Sequence, residues 1–203
     1  MDIYFVRHGQ TDGNVARRHQ HTNIALNEVG KRQAALVANR IKQLKPTHLI
    51  SSTNVRALET ARHIGLACDL IPETYPAFEE LRRPVFLIGE RFSAKSSLLY
   101  VLGWFFAVPS ASMHDGESYT DFRSRLSLAR THLATLPKDA RVVIVSHSVF
   151  INFFFEHMNQ PDRMRLTSAA SRFIKILRLH NTTITHVRYD EARKPAWHIL
   201  RHL

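Results

Sequence analysis

Cysteine is nearly absent from this chain: of 203 residues only Cys68 is one. A lone thiol closes no internal disulfide, so any core must hold by packing, and such usage fits a reducing compartment. Flanked by apolar residues, Cys68 is itself expected in that core. Long hydrophobic runs are missing as well. The longest, Leu98 to Val108, has 11 residues, against the roughly 20 that a membrane-spanning helix needs. No basic, apolar and small-residue stretch opens the chain, so a secretory signal is not expected and the expected location is cytoplasmic. Repeats, low-complexity tracts and linkers are also lacking, which makes one sizeable domain over 1–203 the expectation, not two small ones. Acidic residues are scarce beside basic ones, 17 against 28, leaving a formal charge of +11. That excess favours an anionic partner: a phosphorylated metabolite, a phosphoprotein, a nucleic acid or an acidic membrane surface. The basic residues are dispersed and aromatics do not interleave with them in a stacking pattern, so no nucleic-acid partner is expected.

What the chain does have is strands that end in reactive side chains. Ile3-Tyr4-Phe5-Val6 is a short β-favouring run that breaks into Arg7-His8-Gly9-Gln10-Thr11. Much later Val142-Val143-Ile144-Val145 ends in Ser146-His147-Ser148. Ligands of open α/β sheets sit at the carboxyl ends of strands, which raises the question whether the two histidines meet. Between these strands the periodicity alternates. Asn27 caps an amphipathic helix that Pro46 ends, His48 to Ser51 reads as a strand, Val55 to Gly65 as a helix, and Asp69 to Ile71 as a third strand before Pro72. Residues 73–116 break the rhythm with prolines, paired Glu79-Glu80 and Arg82-Arg83, and an apolar stretch expected to be helical from Ala94 to Phe106. They read as an insertion folded over the sheet's carboxyl edge, its apolar helix either buried or in contact with a partner or membrane surface. Ser118 and Asp121 have capping-box spacing before a helix running to about Leu136. A helix from about Val149 to Met158 follows the His147 strand, with a short helical piece after Pro161. The last fifty residues alternate as strands, over Phe173 to Leu179, Thr183 to Tyr189 and Trp197 to Leu200, some of them expected to be antiparallel. The fold class implied is α/β, a three-layer α/β/α sandwich around a mostly parallel sheet.

Arg7-His8-Gly9-Gln10-Thr11, joined by Asn14, resembles the signature of the histidine phosphatase superfamily, the phosphoglycerate mutase-like fold, with Gln10 where Glu is usual. The segment from Ser51 to Ala61 is similar to that family's Ser-x-x-x-Arg-Ala-x-x-Thr-Ala element, Gly116-Glu117-Ser118 to its Gly-Glu-Ser helix start, and Val145-Ser146-His147-Ser148 to its second histidine segment. The resemblance implies that Arg56 is a second phosphate-binding arginine and that a Glu after the third strand acts as the acid. Phe78-Glu79-Glu80 matches that spacing with Glu80 favoured and Glu79 the alternative.

The chemistry of these side chains agrees with that implication. Phosphoryl transfer asks for a nucleophile in line with the leaving oxygen and positive charge around the equatorial oxygens. Arg7 and Arg56 offer forked donors, His147 a third donor if protonated, and Asn14 an uncharged one; Ser148 completes the phosphate-binding set. His8 is then the imidazole that attacks phosphorus and carries a phosphohistidine, and no metal or other cofactor is expected. Arg82 and Arg83 read equally well as an extension of the positive field or as a solvated loop pair. His19-Gln20-His21 has no further ligand at metal-binding spacing, and Phe153-Phe154-Phe155 reads as core. The expected activity is a metal-independent phosphomonoester hydrolase. Its substrate is expected to be a small phosphorylated metabolite or a phosphoprotein. The alternatives are a phosphoglycerate mutase and, from another class, a non-catalytic phosphoanion- or RNA-binding module.

Overall fold

The computed structural model describes residues 1–105, 115–158 and 179–202. β1 (Asp2–Arg7) lies in the middle of a six-stranded sheet, parallel on one side to β4 (Arg141–Ser146) and antiparallel on the other to β5 (Ile184–Tyr189). With β2 (His48–Ser51), β3 (Glu73–Thr74) and β6 (Trp197–His202) the strand order is β3-β2-β4-β1-β5-β6, and the two antiparallel members stand together at one end.

Both faces of this sheet are covered, which is why β1 and β4 are apolar at every interior position and not alternately. Tyr4, Val6, Val143 and Val145 pack with Val37, Ala38 and Ile41 of α2 (Glu28–Gln43) and with Ala57, Ala61 and Ile64 of α3 (Val55–Cys68). Ile3, Phe5, Val142 and Ile144 point the other way. They meet Phe122, Leu126 and Leu133 of α5 (Tyr119–Ala134) and Phe150 and Phe154 of α6 (Ser148–His157). The Phe153-Phe154-Phe155 run is therefore packing, as its composition suggests. Asn27 caps α2 by accepting from the Gly30 N–H at 2.8 Å, and Ser118 caps α5 by accepting from the Asp121 N–H at 3.0 Å, so both expected caps form.

Register, more than any single contact, brings the two histidines to one place. Arg7 pairs with Ser146 across the β1/β4 ladder, so the residues that follow, His8 and His147, leave neighbouring strands at one level. The turn after β1 is pressed against the first turn of α2. A Cβ on Gly30 would fall 2.1 Å from the Gln10 carbonyl oxygen and one on Gly9 2.5 Å from that of Gly30, so backbone approaches backbone without room for side chains.

Three expectations change. The third strand lies at Glu73–Thr74, after Pro72, not at Asp69 to Ile71. Asp69 is instead the left-handed cap of α3, with Leu70 N–H returning to the Gly65 carbonyl at 3.0 Å, and Ile71 is 94% exposed. The apolar helix, α4 (Lys95–Phe105), is neither wholly buried nor wholly open. Ser97, Tyr100 and Trp104 face inward, whereas Leu98, Leu99 and Leu102 are exposed. Cys68 ends α3 half-buried, at the rim of the core. Phe106, the helical piece after Pro161 and the alternating stretch 173–178 lie outside the described residues. Among the described residues no helix is long and apolar enough to cross a membrane.

Candidate active site

The site begins with His8. Its Nδ1 lies 2.7 Å from the Gly9 carbonyl oxygen, and since a carbonyl only accepts, Nδ1 carries the proton and Nε2 the lone pair. The loop is tied down from both sides. Gly9 N–H donates to Thr60 Oγ1 at 3.0 Å, and that hydroxyl donates to the Arg56 carbonyl at 2.8 Å, linking the turn after β1 to the helix that carries Arg56. Asn181 Nδ2 donates to the His8 carbonyl at 2.9 Å and to Asn14 Oδ1 at 3.1 Å.

The His147 ring stands 5.1 Å from that of His8, centroid to centroid, and both are buried. Ser52 Oγ accepts from the Asn54 N–H at 3.2 Å and lies 2.7 Å from His147 Nε2. That hydroxyl keeps one lone pair and its proton for Nε2, and His147 Nδ1 is buried without a partner.

Two guanidinium groups share this space. Arg7 Nη1 donates to the Leu179 carbonyl and Arg56 Nη1 to the His21 carbonyl at 2.9 Å, while Nε of each is buried and unpartnered. Asn14 Oδ1 is already occupied by the Thr11 N–H at 3.2 Å and by Asn181, so its NH2 is the end left to offer. Ser148 is half-buried in the first turn of α6, directly after His147. Glu80 lies across this same turn, its Oε1 accepting from the Phe150 N–H at 3.0 Å and its Oε2 from the Val149 N–H at 3.2 Å. Glu79 turns elsewhere, accepting from Thr53 Oγ1. Of the two adjacent carboxylates, Glu80 is the one whose charge acts on Arg7 and Arg56.

Positive charge exceeds negative here, and proton affinities record it. Burial, then Arg56 and Arg7, hold the His8 imidazolium form well below the ordinary histidine range. Burial and Arg56, followed by His8, Arg125 and Arg7, do the same to His147. The condition attached to His147, that it donates if protonated, is thus opposed by its surroundings, while a neutral ring still donates through the nitrogen that keeps its proton. Arg56 is pushed down to about 10, first by burial and then by Arg83 and Arg7, with Glu80 opposing. Buried cations with one nearby carboxylate form a cluster whose excess charge suits a dianion.

These shifts set a stability profile. An imidazole protonated at about pH 6.5 when unfolded but not when folded makes the unfolded state the better proton binder below that pH. Stability of the anion-free protein is thus complete above pH 7 and falls below about 6.5, by up to about 1.4 kcal/mol per pH unit for each of His8 and His147. Thermal melts from pH 8 to 5 are expected to show this fall, lessened by inorganic phosphate; a flat profile contradicts it.

Sequence reading missed Arg125, and it quoted Glu117 only within the helix-start motif, without a partner. Arg125 of α5 meets Glu117 with two parallel bonds of 2.6 Å, both side chains buried, and spends its remaining donors on the carbonyls of Ala77 at 3.1 Å, Glu79 at 2.6 Å and Glu80 at 3.3 Å. The turn bearing Glu80 is thus hung on an ion pair. Ser52 and Thr60 were visible inside the quoted motif, although nothing in their types announced a partner. Asn181 and the Leu179 carbonyl gave no signal. His19 and His21 part company, His19 buried against Phe92 and Ser97 and His21 exposed. Among the described residues no group of three or more His, Cys, Asp or Glu side chains is arranged to hold a metal ion.

Two adjacent parallel strands of an α/β sheet set His8 and His147 side by side, and the charges of Arg7 and Arg56 act on both. The family model for the histidine phosphatase superfamily, branch 1, matches residues 3–201, and the chain belongs to that superfamily. A probable phosphoglycerate mutase of Proteus mirabilis is 31% identical over 200 residues, covering 95% of this chain and 86% of that protein. Among solved structures, a mycobacterial glucosyl-3-phosphoglycerate phosphatase superposes with a TM-score of 0.74 at 22% identity, over 98% of this chain and 96% of that one. A phosphoserine phosphatase mutant from Entamoeba histolytica in complex with phosphoserine does so at 0.75 and 21%, over 99% and 95%.

Proposed function

We propose that this protein is a metal-independent phosphomonoester hydrolase working through phospho-His8, with 1–203 acting as one unit and 73–116 as its cap. The observation that carries this reading is the Nδ1–Gly9 bond of 2.7 Å, which leaves the lone pair of His8 on Nε2, in a ring 5.1 Å from that of His147. Arg7, Arg56, Asn14, Ser148 and His147 Nδ1 take the phosphate oxygens. His8 Nε2 attacks phosphorus as the P–O bond to the alcohol breaks, and Glu80 gives its proton to the departing alkoxide. Water then attacks phosphorus, forming a new P–O bond as the P–N bond to His8 breaks; Glu80 takes the proton released, and inorganic phosphate leaves with His8 regenerated. Glu80 fits this double duty because it sits on the rigid start of α6, beside the second histidine.

The experiment is hydrolysis of p-nitrophenyl phosphate and of an alkyl phosphate with EDTA present. Turnover indifferent to EDTA is expected. Glu80→Gln is expected to lower kcat on the alkyl phosphate by about 10²–10⁴-fold and on the nitrophenyl ester, whose leaving group needs little protonation, by much less. Equal losses on both remove Glu80 from the acid role; Glu79→Gln is then the comparison.

A mutase is the second reading, supported by the likeness to the probable phosphoglycerate mutase of Proteus mirabilis. It requires phospho-His8 to return its phosphoryl group to a bound sugar acid, so phosphoryl transfer from 2,3-bisphosphoglycerate to monophosphoglycerate faster than release of phosphate replaces the hydrolase. Tight phosphate binding with neither reaction supports a binding module.

A further inference from the structure

We propose that Asn181 is a positioning residue for the phosphate site: its amide decides which end of the Asn14 side chain is offered to the phosphate. This rests on the reading of Asn14 as a phosphate ligand and adds a residue that acts only through others.

The turn that carries Asn181 leads into β5 and is bound to the end of β1 along its length. Arg7 N–H donates to the Thr183 carbonyl at 3.2 Å, its carbonyl accepts from the Thr182 N–H at 3.0 Å, and its guanidinium reaches the Leu179 carbonyl. Thr183 N–H closes the turn on the His180 carbonyl at 3.3 Å, and Thr182 Oγ1 donates to the Asn181 carbonyl at 2.7 Å. Thr182 holds a φ of 58°, a left-handed backbone that a β-branched residue resists and that persists where its surroundings over-determine it. What this strained turn delivers is Asn181, whose side chain bridges the His8 loop and the short helix Asp12–Ala16 that carries Asn14.

Backbone groups fix the orientation of both amides. A carbonyl only accepts, so the end of Asn181 that lies 2.9 Å from the His8 oxygen is its NH2. An N–H only donates, so the end of Asn14 that lies 3.2 Å from the Thr11 nitrogen is its Oδ1. The second hydrogen of Asn181 Nδ2 closes on that same Oδ1 at 3.1 Å. Turning the Asn14 amide over sets its NH2 against two donors at once, the Thr11 N–H and the Asn181 NH2. The oxygen end is thereby committed, and the NH2 end is the one free for an anion. A phosphate is drawn by an amide donor and repelled by an amide oxygen, so a side chain that does not meet the phosphate sets the sign of the contribution from one that does. The same Nδ2 holds the His8 carbonyl while Thr60 Oγ1 accepts from the Gly9 N–H at 3.0 Å, which fixes the His8–Gly9 peptide at both ends.

The test is a double-mutant cycle on inorganic phosphate, with Kd measured by calorimetry for the parent, Asn14→Ala, Asn181→Ala and the double variant, each checked for a cooperative melt. Asn14→Ala is expected to weaken phosphate binding about tenfold, the scale of one hydrogen bond to a charged group. Asn181→Ala is expected to weaken it by about three- to tenfold in the parent and by far less where Asn14 is already alanine, so that the first loss exceeds the second at least about threefold. A purely structural contribution lowers affinity by the same factor in both backgrounds, and a ratio of the two losses below about three overturns the role. Where Asn181→Ala does not fold, Asn181→Asp takes its corner of the cycle: the carboxylate has the same shape and cannot donate, and its charge acts in both backgrounds, leaving the ratio as the readout. Parent protein that binds no phosphate defeats the phosphate site and this role together; phosphate binding with a ratio below that threshold defeats the role alone. Persistent hydrolysis by His8→Ala defeats the phosphohistidine reading and leaves the cycle untouched.

Discussion

Replacing His8 with alanine is expected to lower phosphomonoester turnover by about 10⁴-fold or more, the scale on which removal of an attacking nucleophile is felt. The imidazole is small and its removal leaves Arg7, Arg56, Asn14 and the His147–Ser52 pair in place. The variant is thus expected to fold and still to gain thermal stability from inorganic phosphate, because a ligand that binds only the folded state raises its melting temperature. Lost turnover together with retained phosphate protection is the combined signature. Loss of both means that His8 shapes the pocket instead of doing the chemistry, and a fall of tenfold or less means that the nucleophile lies elsewhere. Kinetics on p-nitrophenyl phosphate and a melting series with phosphate check both halves.

Substituting Arg125 by methionine is expected to cost about 3–5 kcal/mol, since it strands the Glu117 carboxylate in the core without its partner. For a chain of this length that corresponds to a drop of about 10 °C or more in Tm. Restoring neutrality with the double change Arg125→Met and Glu117→Gln is expected to recover part of the loss. The same substitution releases three carbonyls of the turn 77–80, so Glu80 loses its position over α6. In protein that remains folded, kcat is expected to fall while the affinity for phosphate, held by Arg7 and Arg56, changes little. A Tm within 2 °C of the parent shows that the pair is not the anchor proposed, and a fall in phosphate affinity matching that in kcat shows that it does not act through Glu80.

Much of the architecture was legible because it follows from short-range rules. β1, β2 and β4 announce themselves as apolar runs that end in polar loops, and Asn27 and Ser118 stand where their helices begin. Errors arose where local propensity and tertiary context disagree. Leu70 and Ile71 look like strand residues, yet the chain after α3 is still turning through left-handed Asp69, and pairing with β2 begins only at Glu73. The composition of α4 says buried, but its position at the edge lets only one face reach the core.

The candidate site divides in the same way. His8, Arg7, Arg56 and His147 were readable as candidates because each stands beside a strand end or in a quoted motif, and Glu80 was preferred to Glu79 because it matches the position that the family resemblance implies. Ionisation states were not readable. That His147 is pushed toward its neutral form follows from burial beside two arginines, and its contact with Ser52, some ninety positions away, shows only in the fold. Arg125 shows the general difficulty. On its own helix it is one basic residue among several, and only the fold reveals that its partner is Glu117 and its load the turn at 77–80.

The central claim is that the phosphoryl group passes through one imidazole nitrogen, and rapid mixing with a phosphomonoester followed by alkaline quench and peptide mass spectrometry tests it most directly. The account predicts an acid-labile adduct of one phosphoryl group on the peptide containing His8, absent from His8→Ala and removed as hydrolysis proceeds. Steady turnover with the adduct on any other residue, or with no adduct while product forms in a pre-steady-state burst, contradicts it.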